Sequence, residues 1–435
     1  MHPTKPFASS SLSHHGATLL FPDLPPHSAL GIDQSIHTTS EHFKGVKHVP
    51  PGVHVVSYAA YDQTGDRYGP VTAFFIDVPA ITRSEDDTYA REGMARTSEI
   101  EAWMMDSAFH GPVLAWTWVG AEEVLVEMEE DDRGRAESMV RDLRWDRELG
   151  SYYTMMQGEG DGDGFEDWRM LSRYLDGRMA KRLSPVEGGI SGTVDEDHGV
   201  LLGSTRSAAE VALSEQLAGA NNGGTNNGGG ANRHIGRCRY TRIPDPLIKD
   251  PTLTAAELTA WNLDKSAVLV KLFTEAYKGR TGAFLGEMQF AFLAFLLGHS
   301  LEGFLQWKRM LCLLLGCDAA LRDGNQKHVD FFVAAFDLVW GQLTFSFRKE
   351  RDAGLTGGGG GDTIGELFED HFVRGLVTAF VKENADDASL DIRIRNAVEK
   401  LAKLVQTELG WATKESLVDL DEPEDSEDGP VIVYI

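Results

Sequence analysis

The segment that decides the fold runs from Gly286 to Leu315 and reads GEMQFAFLAFLLGHSLEGFLQWKRMLCLLL. Its first half is apolar on every side and includes the uninterrupted apolar run Phe290–Leu297. A helix without a polar face needs neighbours all round, so this half predicts the centre of a helical bundle. The second half is amphipathic, and Gly298-His299-Ser300 separates the two halves. We therefore predict a helical hairpin at the centre of an α-helical domain.

Apolar stripes at helical spacing continue beyond the hairpin and predict further packed helices. They lie at Val329/Phe332/Phe336/Trp340/Leu343, Ile364/Leu367/Phe368/Phe372/Leu376/Phe380 and Ile394/Val398/Leu401/Val405/Leu409. Each stripe covers one helix face, as expected for helices that surround a common core. We predict an all-α C-terminal domain over residues 238–418.

The N-terminal part of the chain has the composition of short β-strands. Four β-branched and aromatic runs lie between turn residues, at Ala17–Phe21, Val53–Tyr58, Thr72–Val78 and Val113–Val119. Pro51-Gly52 suits a turn in which Gly52 takes a positive φ. The spacing predicts an antiparallel sandwich or barrel-like sheet. Arg135–Tyr153 and Trp168–Leu183 have helical patterns. The predicted fold class is thus α+β in two domains, with a β-rich domain and its trailing helices over residues 1–183.

Two segments are predicted to lie outside these domains. Residues 184–237 include the low-complexity run Gly219–Ala231, which has little to bury and predicts a flexible linker. Residues 419–435 form a tail in which the acidic run Asp419–Asp428 precedes five strand-forming residues, Val431, Ile432, Val433, Tyr434 and Ile435. Such a strand either joins the protein's own sheet or adds to an open sheet edge on a partner.

Composition narrows the class of protein. The chain has 435 residues, with 41 Lys and Arg against 67 Asp and Glu, so its formal net charge is −26. Such a charge argues against a protein that binds the phosphate groups of nucleic acid. Three cysteines make no disulfide framework and favour the cytosol or nucleus. The longest apolar run is far shorter than the about 20 residues that a membrane span needs. We expect a soluble protein.

Motifs for chemistry are missing from the sequence. It has no phosphate-binding loop, no His-Glu-x-x-His and no nucleophile elbow. The N-terminal histidines lack metal-ligand spacing, and we expect His37, His42 and His48 to lie exposed in a turn-rich loop. We therefore expect no catalytic residue, no metal and no cofactor. The alternatives are a hydrolase or transferase with a site at the domain junction, and a plain two-domain adaptor.

Two separated blocks of sequence resemble one family. The first consists of GATLLFPDLP (Gly16–Pro25), GIDQ (Gly31–Gln34), FKGVKHVPPGVHVVSYAA (Phe43–Ala60) and GPVTAFFIDV (Gly69–Val78). The second is LGEMQFAFLAFLLGHSLEGFLQWKRML, and weaker matches are WRMLSRYL from Trp168, RYTRIP from Arg239 and the terminal PVIVYI. Together they are similar to the AAR2 family, the A-one cistron splicing factors.

This resemblance implies a non-enzymatic assembly factor of the U-five small nuclear ribonucleoprotein, shared between cytoplasm and nucleus. Family members bind the spliceosomal scaffold protein Prp-eight through its RNase-H-like and Jab/MPN-like domains and hold off the spliceosomal helicase during maturation. In the family the C-terminal tail contributes a strand to a sheet shared with the scaffold. The resemblance therefore implies partner binding here by Val431, Ile432, Val433, Tyr434 and Ile435. We expect a monomer when free, with no direct contact to nucleic acid or membrane.

Overall fold

The computed structural model describes residues 16–62, 67–79, 113–120, 123–128, 143, 145–157, 164–186, 189–191, 236–243, 254–256, 259, 263–356 and 371–411. By its internal contacts the chain divides into two compact units. One comprises Met1–Leu258 and Val268–Leu311 and is called here the sheet unit. The other comprises Thr259–Ala267 and Cys312–Ile435 and is called the helical unit.

The sheet unit is built on short strands. They are β1 (Ala17–Leu20), β2 (Ala29–Ile32), β3 (Ser35–Thr38), β4 (Gly45–Val49), β5 (Gly52–Ala59), β6 (Tyr61–Asp62), β7 (Arg67–Tyr68), β8 (Thr72–Val78), β9 (Val113–Val119), β10 (Val124–Glu127), β11 (Leu149–Ser151) and β12 (Ile190–Ser191). One five-stranded sheet has the order β10-β9-β1-β4-β11, and a second has the order β12-β8-β5-β2-β3. Strands β6 and β7 pair with each other.

The four strands predicted from the sequence are confirmed as β1, β5, β8 and β9. Gly52 has a φ of 128°, in the positive range expected of it. The second sheet is antiparallel throughout. The first sheet is mixed, because β9 runs parallel to β1 and β11 runs parallel to β4. These parallel pairs join strands far apart in sequence, which strand patterns alone do not reveal.

The helices of residues 145–183 depart from the sequence prediction at two points. They are α1 (Trp145–Glu148), α2 (Tyr152–Met156), α3 (Gly164–Ser172) and α4 (Gly177–Leu183). The helix predicted over Trp168–Leu183 is broken, because α3 ends at Ser172 and α4 begins at Gly177. The helix predicted over Arg135–Tyr153 is interrupted by β11, although Trp145–Glu148 is helical as predicted. Leu149 is buried and pairs in register with Gly45, so sheet pairing overrides the helical pattern there.

The predicted helical hairpin is confirmed. It is preceded by α5 (Ser266–Glu275) and consists of α6 (Thr281–Gly298) and α7 (Leu301–Leu315), and His299 ends α6 with a left-handed φ of 52°. Every residue of α6 from Phe284 to Gly298 is buried. The prediction that its apolar surface faces only helices is wrong. The Phe290 ring stacks on Phe75 of β8, with ring centroids 4.3 Å apart. The hairpin therefore packs on the second sheet, and this explains why most of it belongs to the sheet unit.

The helical unit contains α8 (Asp318–Arg322), α9 (Gln326–Thr356), α10 (His371–Asn384) and α11 (Ile392–Lys403), followed by a π-helical turn at Leu404–Glu408. Apolar residues of α9 pack against α10, for example Phe336 against Phe380 at 5.2 Å between ring centroids. In the described part of the chain, Thr281–Gly298 and Gln326–Phe347 are long and apolar enough to cross a membrane. Both are mostly buried inside the protein, at 83% and 72%, as core helices are.

The predicted linker 184–237 is described only at its two ends. Residues 192–235 lie outside the described residues, as does the tail 419–435. At the first end, Ile190 and Ser191 pair with Ala73 and Thr72 and so form an edge strand of the second sheet. At the other end, the segment 236–243 runs without regular secondary structure.

Candidate functional site

The residues predicted to bind a partner, Val431, Ile432, Val433, Tyr434 and Ile435, lie outside the described residues, which end at Trp411. What the structure describes in the sheet unit is a pair of buried polar clusters. Both connect segments distant in sequence, and neither was singled out from the sequence.

The first cluster surrounds Glu287 in the otherwise apolar helix α6. Its side chain is fully buried, at 0% exposure. Thr241 donates to this carboxylate from its backbone nitrogen at 2.5 Å and from its hydroxyl at 2.7 Å. Arg182 of α4 donates to Glu287 Oε2 at 3.0 Å, and Gln306 of α7 donates to the Thr241 carbonyl at 3.0 Å. Glu287 thus ties α4 and the segment 236–243 to the hairpin.

Gln289, two residues further along α6, makes a second set of buried contacts. Its Oε1 accepts from the Tyr174 backbone nitrogen at 2.7 Å, and its Nε2 donates to the Met170 carbonyl at 2.9 Å. These bonds satisfy backbone groups at the end of α3 that would otherwise lack partners. Three sequence segments that carry the family resemblance, from Trp168, Arg239 and Leu285, therefore meet at Glu287 and Gln289.

The second cluster lies in the β-rich part and is centred on Asp33, in the turn between β2 and β3. Its carboxylate accepts from the His54 ring nitrogen Nδ1 at 2.8 Å and from the Tyr152 hydroxyl at 2.6 Å. The Val55 backbone nitrogen donates to the other carboxylate oxygen at 3.0 Å. Asp33 is 0% and His54 2% exposed. The Trp168 ring of α3 stacks on His54, with centroids 6.2 Å apart.

Burial and neighbouring charges shift the pKa of His54 in opposite directions. Burial alone lowers the pKa of His54, but the Asp33 charge and hydrogen bond, the Pro50 carbonyl and the Asp77 charge outweigh it and raise that pKa. Burial, together with the Asp33 charge, raises the pKa of Tyr152 far above its ordinary value. Tyr152 therefore remains a neutral hydroxyl that donates to Asp33.

An aspartate, a histidine and a tyrosine in contact have the composition of an acid–base site, yet this cluster is closed. Both ring nitrogens of His54 are occupied, Nδ1 by Asp33 and Nε2 by the Pro50 carbonyl at 2.7 Å. A general base needs a free nitrogen within reach of a substrate. The geometry therefore assigns the cluster a structural role.

The described cysteine and histidine side chains likewise do not form a reactive site. Among the described residues, no group of three or more His, Cys, Asp and Glu side chains is placed to hold a metal ion. Cys238 and Cys317 are buried free thiols, and burial raises the pKa of Cys238 to about 12. His37 and His42 are exposed and His48 is half-buried. His37 and His48 lie on strands β3 and β4 instead of the predicted loop.

The sequence contained signals for both clusters. A glutamate and a glutamine inside an apolar helix mark positions where buried partners must exist, because a polar group without a partner is costly to bury. His54 lies within a strand of apolar residues, and this also indicates that it has a buried hydrogen-bond partner. What the sequence could not supply was the identity of the partners.

Comparison with known proteins covers most of the chain. The model of the AAR2 N-terminal domain matches residues 15–185, and the model of the AAR2 C-terminal repeat region matches residues 240–414. A human protein named Protein AAR2 homolog is 23% identical over 441 residues, covering 99% of this chain and 96% of its own length. Its mouse counterpart is 24% identical, covering 78% of each chain. A protein of the same name from Caenorhabditis elegans is 24% identical, covering 76% of this chain and 79% of its own.

The two domain models match in the expected order and together span far more than half of the chain. The interval between the two matches, residues 186–239, overlaps nearly all of the predicted linker 184–237, and the described clusters lie inside the matched regions. The chain belongs to the AAR2 family.

Proposed function

We propose that this protein is a non-enzymatic assembly factor of the U-five small nuclear ribonucleoprotein that binds the scaffold protein Prp-eight. Membership of the AAR2 family supports a splicing-related assembly role. The observation that carries the proposal is the extent of this relationship, which covers 99% of this chain and 96% of the human relative. Both domains of an AAR2 protein are therefore present in one chain.

The proposed mode of binding is strand addition by the tail. The segment Val431–Ile435 contains five residues that favour extended backbone, and alternate side chains point to opposite faces of a strand. Its main-chain groups pair with an open sheet edge of Prp-eight, while pockets on both faces receive the side chains. The preceding acidic run Asp419–Asp428 acts as a tether that lets the strand extend to the partner. Its negative charge repels acidic proteins that are not the partner.

The folded units supply the second contact in this proposal. A strand of five residues that becomes ordered on binding loses conformational entropy, so its own affinity is modest. A second contact on the same chain raises the effective concentration of the first. By occupying the RNase-H-like and Jab/MPN-like domains, the protein holds off the helicase until assembly is complete. This role places it in the cytoplasm and nucleus, as a monomer when free.

The non-enzymatic part of the proposal is supported by the chemistry of the described residues. The Asp33 cluster is closed to substrate, and Glu287 is fully engaged by Thr241, Arg182 and Gln306. No observation favours the alternative of a hydrolase or transferase. We therefore propose no catalytic residue, metal or cofactor.

The experiment compares the full chain with a variant lacking residues 429–435. Each is titrated against purified Prp-eight containing the RNase-H-like and Jab/MPN-like domains. We expect the truncated chain to bind at least ten-fold more weakly, and thermal unfolding of both chains checks that the truncated one is folded. Equal affinity of the two chains would refute strand addition by the tail.

A pair of point variants tests the main-chain mechanism directly. Val433→Pro removes a backbone N–H and restricts the chain, so it should weaken binding nearly as much as truncation. Val433→Ile keeps both the donor and the β-branched shape and serves as the matched control. Equal loss in the two variants would point to a side-chain pocket instead of a main-chain ladder.

A further inference from the structure

We infer that His54 is an imidazolium at neutral pH, paired with Asp33 inside the sheet unit, and that this ion pair is broken when the ring loses a proton at alkaline pH. The inference is independent of the proposed partner. It rests on the geometry around two side chains and on the chemistry of the groups that face them.

Both ring nitrogens of His54 face hydrogen-bond acceptors. Nδ1 lies 2.8 Å from an Asp33 carboxylate oxygen, and Nε2 lies 2.7 Å from the Pro50 carbonyl oxygen. A carbonyl oxygen only accepts, so Nε2 must carry a hydrogen. A neutral imidazole has a single N–H, whereas an imidazolium donates from both nitrogens. Two acceptors at these distances therefore favour the charged ring.

The neighbours of Asp33 are hydrogen-bond donors. Its carboxylate accepts from three donors, the His54 ring, the Tyr152 hydroxyl and the Val55 backbone nitrogen. Donors that converge in this way stabilise the ionised form of a carboxyl group. Asp77 is a further negative group whose field acts on His54. The charges that act on the ring are thus the carboxylates of Asp33 and Asp77, and both favour a positive charge on the imidazole.

The pair holds three elements together. Asp33 belongs to the turn between β2 and β3, His54 to β5 and Tyr152 to α2, and all three side chains are buried. Loss of the ring proton would leave either Asp33 or the Pro50 carbonyl without its donor. A buried anion without its cation is strongly unfavourable, so deprotonation opens the junction of these elements.

The direction of the pH dependence follows from the raised pKa. A group with a raised pKa in the folded state stabilises that state fully below its unfolded pKa, about 6.5 for histidine. That contribution is lost as the pH rises through the folded value. The His54–Asp33 pair thus makes the sheet unit sensitive to alkaline pH, while acid conditions near pH 6 preserve the pair.

The first test is spectroscopic and measures the unaltered full chain, with one variant to assign the His54 signals. With nitrogen-15 in all 14 histidines, NMR distinguishes ring nitrogens that carry a hydrogen from those that do not. Tyr152→Phe removes only the hydroxyl next to the pair and identifies the His54 signals by their displacement. We expect hydrogens on both His54 nitrogens at pH 7, persisting well above pH 6.5. An unprotonated Nδ1, or titration near the ordinary value, would overturn the inference.

The second test measures stability against pH for the wild type and for His54→Gln. The difference between their unfolding midpoints should be largest near pH 6 and should shrink towards pH 9. His328→Gln is the matched control, because His328 pairs with Asp323 near the surface and should show a small difference throughout. If the difference in unfolding midpoint between the wild type and His54→Gln stayed constant from pH 6 to pH 9, the inference would be refuted. Should that variant not fold, the NMR result on the wild type decides.

Discussion

At the scale of single residues, Glu287 shows how a charge can be accommodated in an apolar helix. The carboxylate receives two hydrogen bonds from Thr241 and one from Arg182, whose side chain is 48% exposed. The cation is thus partly solvated, while the anion is fully buried. Replacing a buried ion pair by apolar groups can be neutral, but removing one partner leaves the others unsatisfied. Glu287 therefore contributes chiefly by fixing which segments meet.

This arrangement predicts a large loss of stability for Glu287→Ala. The free energy of unfolding should fall by about 3–5 kcal/mol, because Thr241 and Gln306 lose their buried partner. Glu166→Ala is the control, since Glu166 is an exposed carboxylate that pairs with Arg169 and should change stability very little. Urea denaturation of both variants measures the difference. Similar losses in the two would show that the Glu287 contacts contribute no more than a surface pair.

At the scale of elements, the close approach of α6 to the chain between α3 and α4 depends on a glycine. A Cβ built on Gly286 would collide with the Tyr174 carbonyl oxygen and lie 2.6 Å from Met179 Sδ. A backbone carbonyl cannot move aside as the end of a flexible side chain can. Gly286 thus allows the helix to approach closely enough for the bonds of Gln289.

Two glycines of the same helix provide a matched test of this approach. Gly286→Ala should lower the free energy of unfolding by about 1–3 kcal/mol through overpacking. Gly282→Ala places its Cβ in open space at an exposed position, so it should be neutral or stabilise by up to about 1 kcal/mol. Thermal unfolding of both variants gives the sign of each effect. A destabilised Gly282→Ala, or a neutral Gly286→Ala, would contradict the packing argument.

At the scale of the whole molecule, the net charge of −26 disfavours long-range attraction to nucleic acid. Proteins that neutralise phosphates bind nucleic acid with an affinity that falls steeply as salt rises. A protein of this charge is repelled by RNA at long range, which agrees with our proposal that it acts through protein contacts.

We therefore predict that the full chain does not bind single-stranded RNA at about 50 mM salt, where phosphate contacts are strongest. Fluorescence anisotropy of a labelled oligonucleotide should stay flat up to micromolar protein. A basic RNA-binding protein titrated into the same oligonucleotide is the positive control. Binding that weakens as salt rises would reveal a basic surface that the overall charge conceals.

The sequence by itself determined the parts of this protein that have a local pattern. The four main strands and the hairpin follow from hydrophobic periodicity over a few residues, because side-chain direction repeats every 2 or every 3.6 residues. The family resemblance likewise depends on the order of short segments. The mixed sheet, the strand inside the predicted helix Arg135–Tyr153 and the partners of the buried charges were not determined in this way.

Only the tertiary structure decided those features, and the reason is the distance in sequence between the groups involved. Tyr152 and Asp33 are 119 residues apart, and Arg182 and Glu287 are 105 residues apart. A buried polar residue shows in the sequence that it needs a partner, but many donors could satisfy it. The packing of the sheet and the hairpin selects the donor, because it determines which backbone and side-chain groups come within hydrogen-bonding distance.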